Sequence, residues 1–326
     1  MNALKYLILF LILFSFTSAQ QFVPPPPNNA DNIPNFNFSE IKTRKIKSIV
    51  YDVVDKKDFQ IAEDKDLSRH YEFDSLGRLT RCYYTVISRI IQKEFRTAPI
   101  TKHRRVISSG SVYYKNVYEF DTLSCIFLYD VKSNLTCKRF NDGNYYNANY
   151  YWYDSLNRVT RMLSCKETNA SPDKSVFALG TQQVLLDERY KYVVTSENQY
   201  KQLCLNDENR VYKEIIVNLN KNKKPLQYNE SFVTAWVNQV TSFSYNENNL
   251  LTQKIYASNA GGKMELKETY EYKNSLLDTE KRYKNNILQI ETGYVYDSET
   301  KMLNSFVSRD PINKTMQIVK LIYAYY

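Results

Sequence analysis

One short segment occurs twice almost unchanged, and this repetition constrains the fold of the chain more than any other feature. Tyr71 to Thr80 reads YEFDSLGRLT, and Tyr151 to Thr160 reads YWYDSLNRVT. In each copy alternating aromatic residues precede an Asp, and an apolar residue follows five positions later, which predicts strand, turn and strand. The Asp carboxylate is expected to accept the backbone N–H groups one and two positions on, while Gly77 or Asn157 supplies a positive φ. Each copy therefore predicts a β-hairpin.

Related segments recur along the chain. The pattern "aromatic, any residue, aromatic, Asp or Asn" predicts further turns at Asp121, Asp130, Asn246 and Asp297, in addition to Asp74 and Asp154. The tyrosines of neighbouring copies follow one another at a nearly constant spacing, as from Tyr129 to Tyr153 and from Tyr245 to Tyr272. Two strands of eight to ten residues and their turns account for this spacing. The final segment, IYAYY, matches the first strand of one more unit.

These motifs resemble the YD-repeat (RHS-like) family, whose units read Tyr-Asp, two or three residues, Gly-Arg and an apolar residue. The resemblance runs from about residue 67 to residue 326, and it implies β-hairpin sheets that wind into a curved shell on exported proteins. We therefore expect an all-β chain, an extended antiparallel sheet of hairpins that is twisted and partly curled into an open shell or spiral. The chain is too short for a closed cocoon, and no toxin-like segment follows the repeats.

The N-terminal part of the chain differs from the rest. Residues 1–19 combine Lys5, an apolar run and small residues before Gln20, which is typical of a cleaved signal peptide. Residues 20–40 contain four consecutive prolines and many asparagines, which predicts an extended disordered spacer. The repeat array is expected over residues 41–326. The protein is accordingly predicted in the periplasm, at the cell surface or outside the cell.

Charge and cysteine content constrain the partners and the redox state. The net charge of +9 suggests attraction to an acidic glycan or another envelope protein. The basic residues are spread thinly along the chain, which does not favour binding of nucleic acid. Five cysteines in an exported chain leave at least one unpaired within the molecule. Cys82 and Cys165 both follow a well-matched turn and are a conceivable disulfide pair.

No catalytic, metal or cofactor motif is recognisable, so we predict a non-enzymatic binding or scaffolding surface without a cofactor. Trp152 and Trp236 are the candidate ligand-contacting aromatics, because Trp152 faces away from its flanking tyrosines and Trp236 lies in a weak repeat. A glycan-binding or glycan-active envelope protein is a first alternative. An outer-membrane β-barrel is a second, because it also combines alternating strands with a terminal aromatic residue. Charge on both faces of the strands argues against that alternative.

Overall fold

The structure is a computed structural model of the chain. It describes residues 22–23, 34–58, 63–97, 100–102, 105–108, 110–141, 145–173, 176–233 and 235–326. The predicted signal peptide (residues 1–19) lies outside these residues, as does most of the predicted spacer. No helix among the described residues is long and apolar enough to cross a membrane.

Eighteen antiparallel strands of the described chain form one closed barrel, in which every strand pairs with the strands before and after it. The first nine are β1 (Ile46–Lys57), β2 (Glu63–Phe73), β3 (Leu79–Arg96), β4 (Val112–Tyr129), β5 (Leu135–Asn141), β6 (Tyr146–Tyr153), β7 (Val159–Asn169), β8 (Leu179–Ser196) and β9 (Gln199–Leu205). The others are β10 (Val211–Leu219), β11 (Pro225–Phe232), β12 (Asn238–Tyr245), β13 (Leu251–Ser258), β14 (Met264–Lys273), β15 (Leu276–Lys284), β16 (Ile287–Tyr296), β17 (Leu303–Asp310) and β18 (Thr315–Tyr325). A short ribbon of Ile100–Lys102 and Arg105–Ser108 lies between β3 and β4.

The expectation of an all-β antiparallel chain is confirmed, but the open shell or spiral is wrong. The last strand, β18, pairs with the first, β1, from Thr315↔Lys57 to Tyr325↔Ile46. We call this pairing the seam. The final strand therefore completes its sheet with the strand most distant from it in the sequence, a partner that local repeats do not reveal.

The same turn recurs along the chain, with five of its six copies at one end of the barrel and the Asn206 copy, between β9 and β10, at the other. The Asp74 backbone N–H donates to the Arg78 carbonyl (3.0 Å), and the Asp74 carboxylate accepts the N–H groups of Leu76 (3.0 Å) and Arg78 (2.9 Å). These two donors lie two and four positions after Asp74, whereas the sequence predicted donors one and two positions after it. The backbone bonds recur at five further turns, which begin at Asp130, Asp154, Asn206, Asn220 and Asn246. The turn at Asp297 is a variant in which the carboxylate accepts the N–H groups of Glu299 and Thr300.

Asp121 is an exception to the predicted turns. It lies inside β4, where it pairs with Val86 of β3, so the turn predicted there is wrong. The strand continues because β3 is as long as β4 and supplies hydrogen-bond partners on both sides of this position. A partner strand can therefore override a turn-like sequence.

A β-bulge accompanies these turns. The register shifts at the last residue before the turn, for example between Glu72 and Phe73 and between Trp152 and Tyr153. Equivalent shifts occur where β4 meets β5, β12 meets β13 and β16 meets β17. Bulges bend the strand and increase its twist. Repeated along one end of the sheet, they supply curvature of the kind that brings the two edge strands together.

Tyrosine hydroxyls link neighbouring strands at their ends. Six tyrosines each donate to the carbonyl of the first residue of the preceding strand, over 2.5 to 2.9 Å: Tyr129 to Leu79, Tyr153 to Leu135, Tyr192 to Val159, Tyr245 to Pro225, Tyr272 to Leu251 and Tyr323 to Leu303. Four of the six directly precede an Asp, Asn or Lys in the sequence. The recurring tyrosine thus connects one hairpin to the previous one.

The N-terminal segment covers the barrel at the turn end, the end that carries the β2–β3 turn. Phe36 is buried, and its ring lies 5.0 Å from the rings of both Tyr71 and Phe73. Helix α1 (Phe38–Thr43) follows, with Asn37 as its N-cap and Ile41 fully buried. The described end of the predicted 20–40 spacer is therefore folded, because these apolar residues pack against β1 and β2.

Gly77 is required at the β2–β3 turn. Its φ is +78°, and an added Cβ would lie 2.3 Å from the Phe38 carbonyl oxygen and 2.7 Å from the Lys42 nitrogen. We expect Gly77→Ala to lower the free energy of unfolding by about 2 kcal/mol or more, because both a strained φ and a backbone clash result. Urea denaturation followed by circular dichroism measures this change.

Asn157 provides the control for Gly77. It occupies the equivalent position at φ +58° and is exposed. We expect Asn157→Ala to cost clearly less than Gly77→Ala, because it adds backbone strain and removes one exposed hydrogen bond from Asn134 Nδ2 (3.2 Å) but introduces no clash. Equal losses for the two variants would show that contact with α1 contributes nothing.

Candidate functional site: the inner wall of the barrel

The buried face of the sheet identifies the inside of the barrel. Tyr51, Tyr71, Cys82 and Cys125 are 0 to 3% exposed and lie opposite one another, or opposite core residues, on neighbouring strands. Around the other side of the barrel the buried residues of the same face include Val217, Thr241, Phe243, Lys254, Tyr270, Glu280 and Thr292. No other layer of the described chain covers β9 to β18, so this face is the inner wall.

The inner wall changes character along the barrel axis. Near the turn end it is apolar, and residues such as Leu303 and Leu277 are at most 2% exposed. Towards the other end, which we call the loop end, it becomes accessible: Leu266 is 39% exposed and the Arg282 side chain 45%. Barrels of 16 to 18 strands are wide enough to leave an aqueous interior. The inner wall is therefore reached from the loop end.

Two adjoining polar clusters occupy the middle of the inner wall on β13 to β16. We call Lys254, Glu268, Tyr270, Glu280, Arg282 and Tyr294 the inner belt. Lys254 Nζ lies 3.2 Å from Glu268 Oε2, and the Tyr270 hydroxyl donates to the same oxygen over 2.6 Å. Arg282 Nε donates to Glu280 Oε1 over 2.6 Å, and the Tyr294 hydroxyl donates to Glu280 Oε2 over 2.8 Å. Each carboxylate thus has one cationic and one phenolic partner.

Burial and charge keep the phenols of the inner belt protonated. Burial, with the neighbouring Glu268 and Glu280 carboxylates, raises the pKa of Tyr270 far above its usual value. Burial and Glu280 raise the pKa of Tyr294 in the same way. Both hydroxyls therefore act as neutral donors across the physiological range. The belt presents hydroxyl donors, carboxylate acceptors and two cations, a combination suited to binding hydroxylated and charged groups.

A second polar cluster lies on β8 to β10 and centres on Glu188. The Tyr190 hydroxyl donates to Glu188 Oε2 over 2.5 Å, and the Tyr212 hydroxyl donates to Oε1. Lys213 Nζ is 3.9 Å from the same carboxylate. Burial raises the pKa of the adjacent Cys204 to about 12, which keeps its thiol protonated and unreactive.

The outer wall carries ion pairs between neighbouring strands. Lys281 lies between Glu271 (3.3 Å) and Glu291 (3.6 Å), and it joins three strands near their middle. Arg161 pairs with Asp187 through two hydrogen bonds of 2.7 Å each. Lipid-facing charge at the centre of a membrane barrel costs about 2 to 4 kcal/mol per Lys or Arg. The outer wall is consistent with contact with water.

Both candidate ligand-contacting tryptophans lie outside the inner belt. Trp152 is 42% exposed on the outer face of β6, where the Arg161 guanidinium stacks over its ring at 4.7 Å. Trp236 is 99% exposed in the loop between β11 and β12. The structure does not bring the two together. Sequence reasoning missed the inner belt, although Glu268 and Tyr270 stand two positions apart on a strand and so share a face.

The other residues singled out from the sequence are structural. Asp74, Asp130, Asp154, Asn246 and Asp297 each begin a turn, and the side-chain oxygen of each accepts a backbone N–H from the residue three or four positions on. Among the described residues no group of three or more His, Cys, Asp or Glu side chains could hold a metal ion.

No protein-family model and no curated protein matches the chain. Among solved structures, a porin-like protein from Bacteroides uniformis is similar over 86% of this chain and 97% of its own, with 13% identity and a TM-score of 0.37. A porin-like protein from Bacteroides vulgatus covers 64% of this chain and 95% of its own, with 7% identity and a TM-score of 0.29. The TcdB2-TccC3-Cdc42 complex is similar over 76% of this chain and 14% of its own, with 11% identity and a TM-score of 0.18. These scores are too low to transfer a function.

Proposed function

We propose that this protein is an exported, non-enzymatic β-barrel of the cell envelope that binds an acidic glycan on its inner wall. The observation that carries the proposal is the inner belt, two adjoining polar clusters inside a closed barrel that becomes accessible towards the loop end. Neutral phenols and carboxylates bind sugar hydroxyls, and Arg282, whose side chain is 45% exposed, attracts carboxylates of a ligand. The net charge of +9 adds long-range attraction for an anionic ligand.

Binding of oligogalacturonate, followed by isothermal titration calorimetry, tests the proposal. Arg282 faces the inner wall, whereas the preceding residue, Lys281, faces outwards. We expect Arg282→Gln to weaken binding about tenfold, since a hydrogen bond to a charged group contributes roughly 1.5 kcal/mol. We expect Lys281→Gln to leave binding unchanged. Equal effects of the two substitutions, or no binding by the unaltered protein, would contradict the proposal.

Tryptophan fluorescence locates the ligand independently. The chain contains only two tryptophans, Trp152 and Trp236, and neither belongs to the inner belt. A glycan on the inner wall should leave their emission unchanged at saturation. Quenching that is lost in Trp152→Phe or Trp236→Phe would instead place the ligand on the outer surface, as first predicted from the sequence.

An outer-membrane barrel is the second candidate function, and closure of an even number of antiparallel strands favours it. The two candidates differ in the surroundings of the outer wall. Phase partition in a cloud-point detergent separates them, because a barrel with ion pairs such as Lys281–Glu271 facing water stays in the aqueous phase. Recovery in the detergent phase, with heat-modifiable migration on gels, would favour the membrane barrel.

A further inference from the structure

Two of the five cysteines lie directly opposite each other in the barrel wall. Cys82 of β3 and Cys125 of β4 are register partners, both point to the inner wall, and they are 2% and 0% exposed. Their thiols are close enough to hydrogen bond to each other. Directly opposite side chains in an antiparallel pair have Cβ atoms about 4.5 to 5.5 Å apart. A disulfide needs about 3.5 to 4.5 Å, so only a small shift is required.

The other three cysteines have no such partner. Cys137 and Cys165 lie on β5 and β7, and β6 runs between these strands. Cys204 faces Tyr190 on one side and Lys213 on the other. Cys82 and Cys165, the pair considered from the sequence, lie on strands separated by β4, β5 and β6.

We propose that Cys82 and Cys125 form a disulfide when the protein folds in an oxidising compartment. The two thiols lose two protons and two electrons to an oxidised disulfide donor, which is reduced to two thiols, and one S–S bond forms through a mixed disulfide. The bond forms before β3 and β4 are fully packed, because a buried thiol is inaccessible to the donor and unreactive afterwards.

The position of this bond fits a structural purpose. The pairing of β2 with β3 ends at Arg69↔Tyr84, whereas β3 and β4 continue together to Arg96↔Val112. The hairpin of β3 and β4 therefore extends beyond its neighbours, and two-stranded ribbons are only marginally stable alone. A bond at Cys82 and Cys125 holds the base of this hairpin within the barrel wall when its outer part opens.

Peptide mapping of the full chain, refolded in a glutathione redox buffer, tests the proposal without depending on export. The unfolded, unreduced protein is alkylated, digested with trypsin and analysed by mass spectrometry. Trypsin places each cysteine in a different peptide: 82–89, 116–132, 133–138, 162–166 and 202–210. We expect peptides 82–89 and 116–132 to be linked and the other three cysteines to be alkylated. Alkylation of all five, or a linkage between other peptides, would overturn the proposal.

Thermal unfolding with and without reductant gives a second readout. A bond that closes a loop of this length should raise the melting temperature by roughly 5 to 10 °C, and reductant should remove the gain. Cys82→Ser should be insensitive to reductant and should leave Cys125 open to alkylation. Cys204→Ser is the control. Its peptides 82–89 and 116–132 should remain linked, and reductant should still lower its melting temperature. Loss of the response in the control alone would contradict the assignment.

Discussion

Replacing Leu321 with aspartate is expected to lower the free energy of unfolding by about 4 to 5 kcal/mol and to open the barrel at the seam. Leu321 is 4% exposed, pairs with Tyr51 across the seam and belongs to the main apolar core. The substitution removes a packed leucine and introduces a carboxylate without a partner in an apolar site. Urea denaturation measures the loss of stability. Hydrogen exchange of the β1 amides reports the opening.

Ile322 offers a matched control at the next position. It lies on the same strand and is paired across the seam with Val50, but it faces outwards and is 50% exposed. We expect Ile322→Asp to change the stability by less than about 1 kcal/mol and to leave the exchange of β1 amides unaltered. If both aspartate variants opened the seam equally, the inner core would not be what closes the barrel.

Removing the Glu167 carboxylate is expected to cost about 3 to 5 kcal/mol of stability. Glu167 is fully buried on the outer face of β7 and accepts a 2.7 Å bond from Arg139 Nε and a 2.8 Å bond from Gln182. Arg139 is itself 7% exposed, and its guanidinium lies 3.9 Å from the centre of the Phe177 ring. Glu167→Ala leaves this cation buried without its counter-charge, which is costly. Thermal and urea unfolding measure the loss.

The pair formed by Lys201 and Glu214 is the control for the buried pair. Its atoms are 3.6 Å apart, and the two side chains are 39% and 38% exposed. We expect Glu214→Ala to change the stability by no more than about 1 kcal/mol, because water screens an exposed pair. A loss at Glu167 as small as that at Glu214 would show that Arg139 finds another partner or reaches solvent.

The same network predicts an acid-sensitive component of stability. Burial acts to raise the pKa of Glu167, but hydrogen bonds from Tyr150, Arg139 and Gln182 outweigh it, and the folded-state pKa lies below the usual value. A lowered pKa gives stability that is complete above the unfolded value and is lost as the pH falls through the folded value. In Glu167→Gln the free energy of unfolding should therefore fall less steeply as the pH is lowered below about 4.5. An unchanged pH profile would exclude this contribution.

Much of the local structure was predictable because its causes are local. Tyr71 and Phe73 alternate before Asp74, and this order of residues predicts a strand that ends in a turn. At four of the turns an apolar residue and Thr follow, as in Leu79-Thr80 and Val159-Thr160, and stand where the bulge occurs, but only the register identifies the bulge. Asp121 shows the limit, since its sequence matches a turn and its long partner strand keeps it extended.

The polar groups of the inner wall were less predictable because several strands contribute them. Glu268 and Tyr270 share one strand, and Glu280 and Arg282 share another, but Lys254 reaches Glu268 and Tyr294 reaches Glu280 from neighbouring strands that only the pairing defines. Trp152 was predicted to contact a ligand because it faces away from its flanking tyrosines. Its exposure fits that orientation, and it lies far from the belt in strand order.

The sequence by itself determined the antiparallel hairpins and most of their turns, because alternation, turn residues and short spacing act between near neighbours along the chain. Only the tertiary structure decided that the sheet closes, since closure depends on β18 meeting β1 and on curvature summed over eighteen described strands. The same closure decides which face is inside. One face of each strand is then shielded by the barrel itself, and that face carries the inner belt.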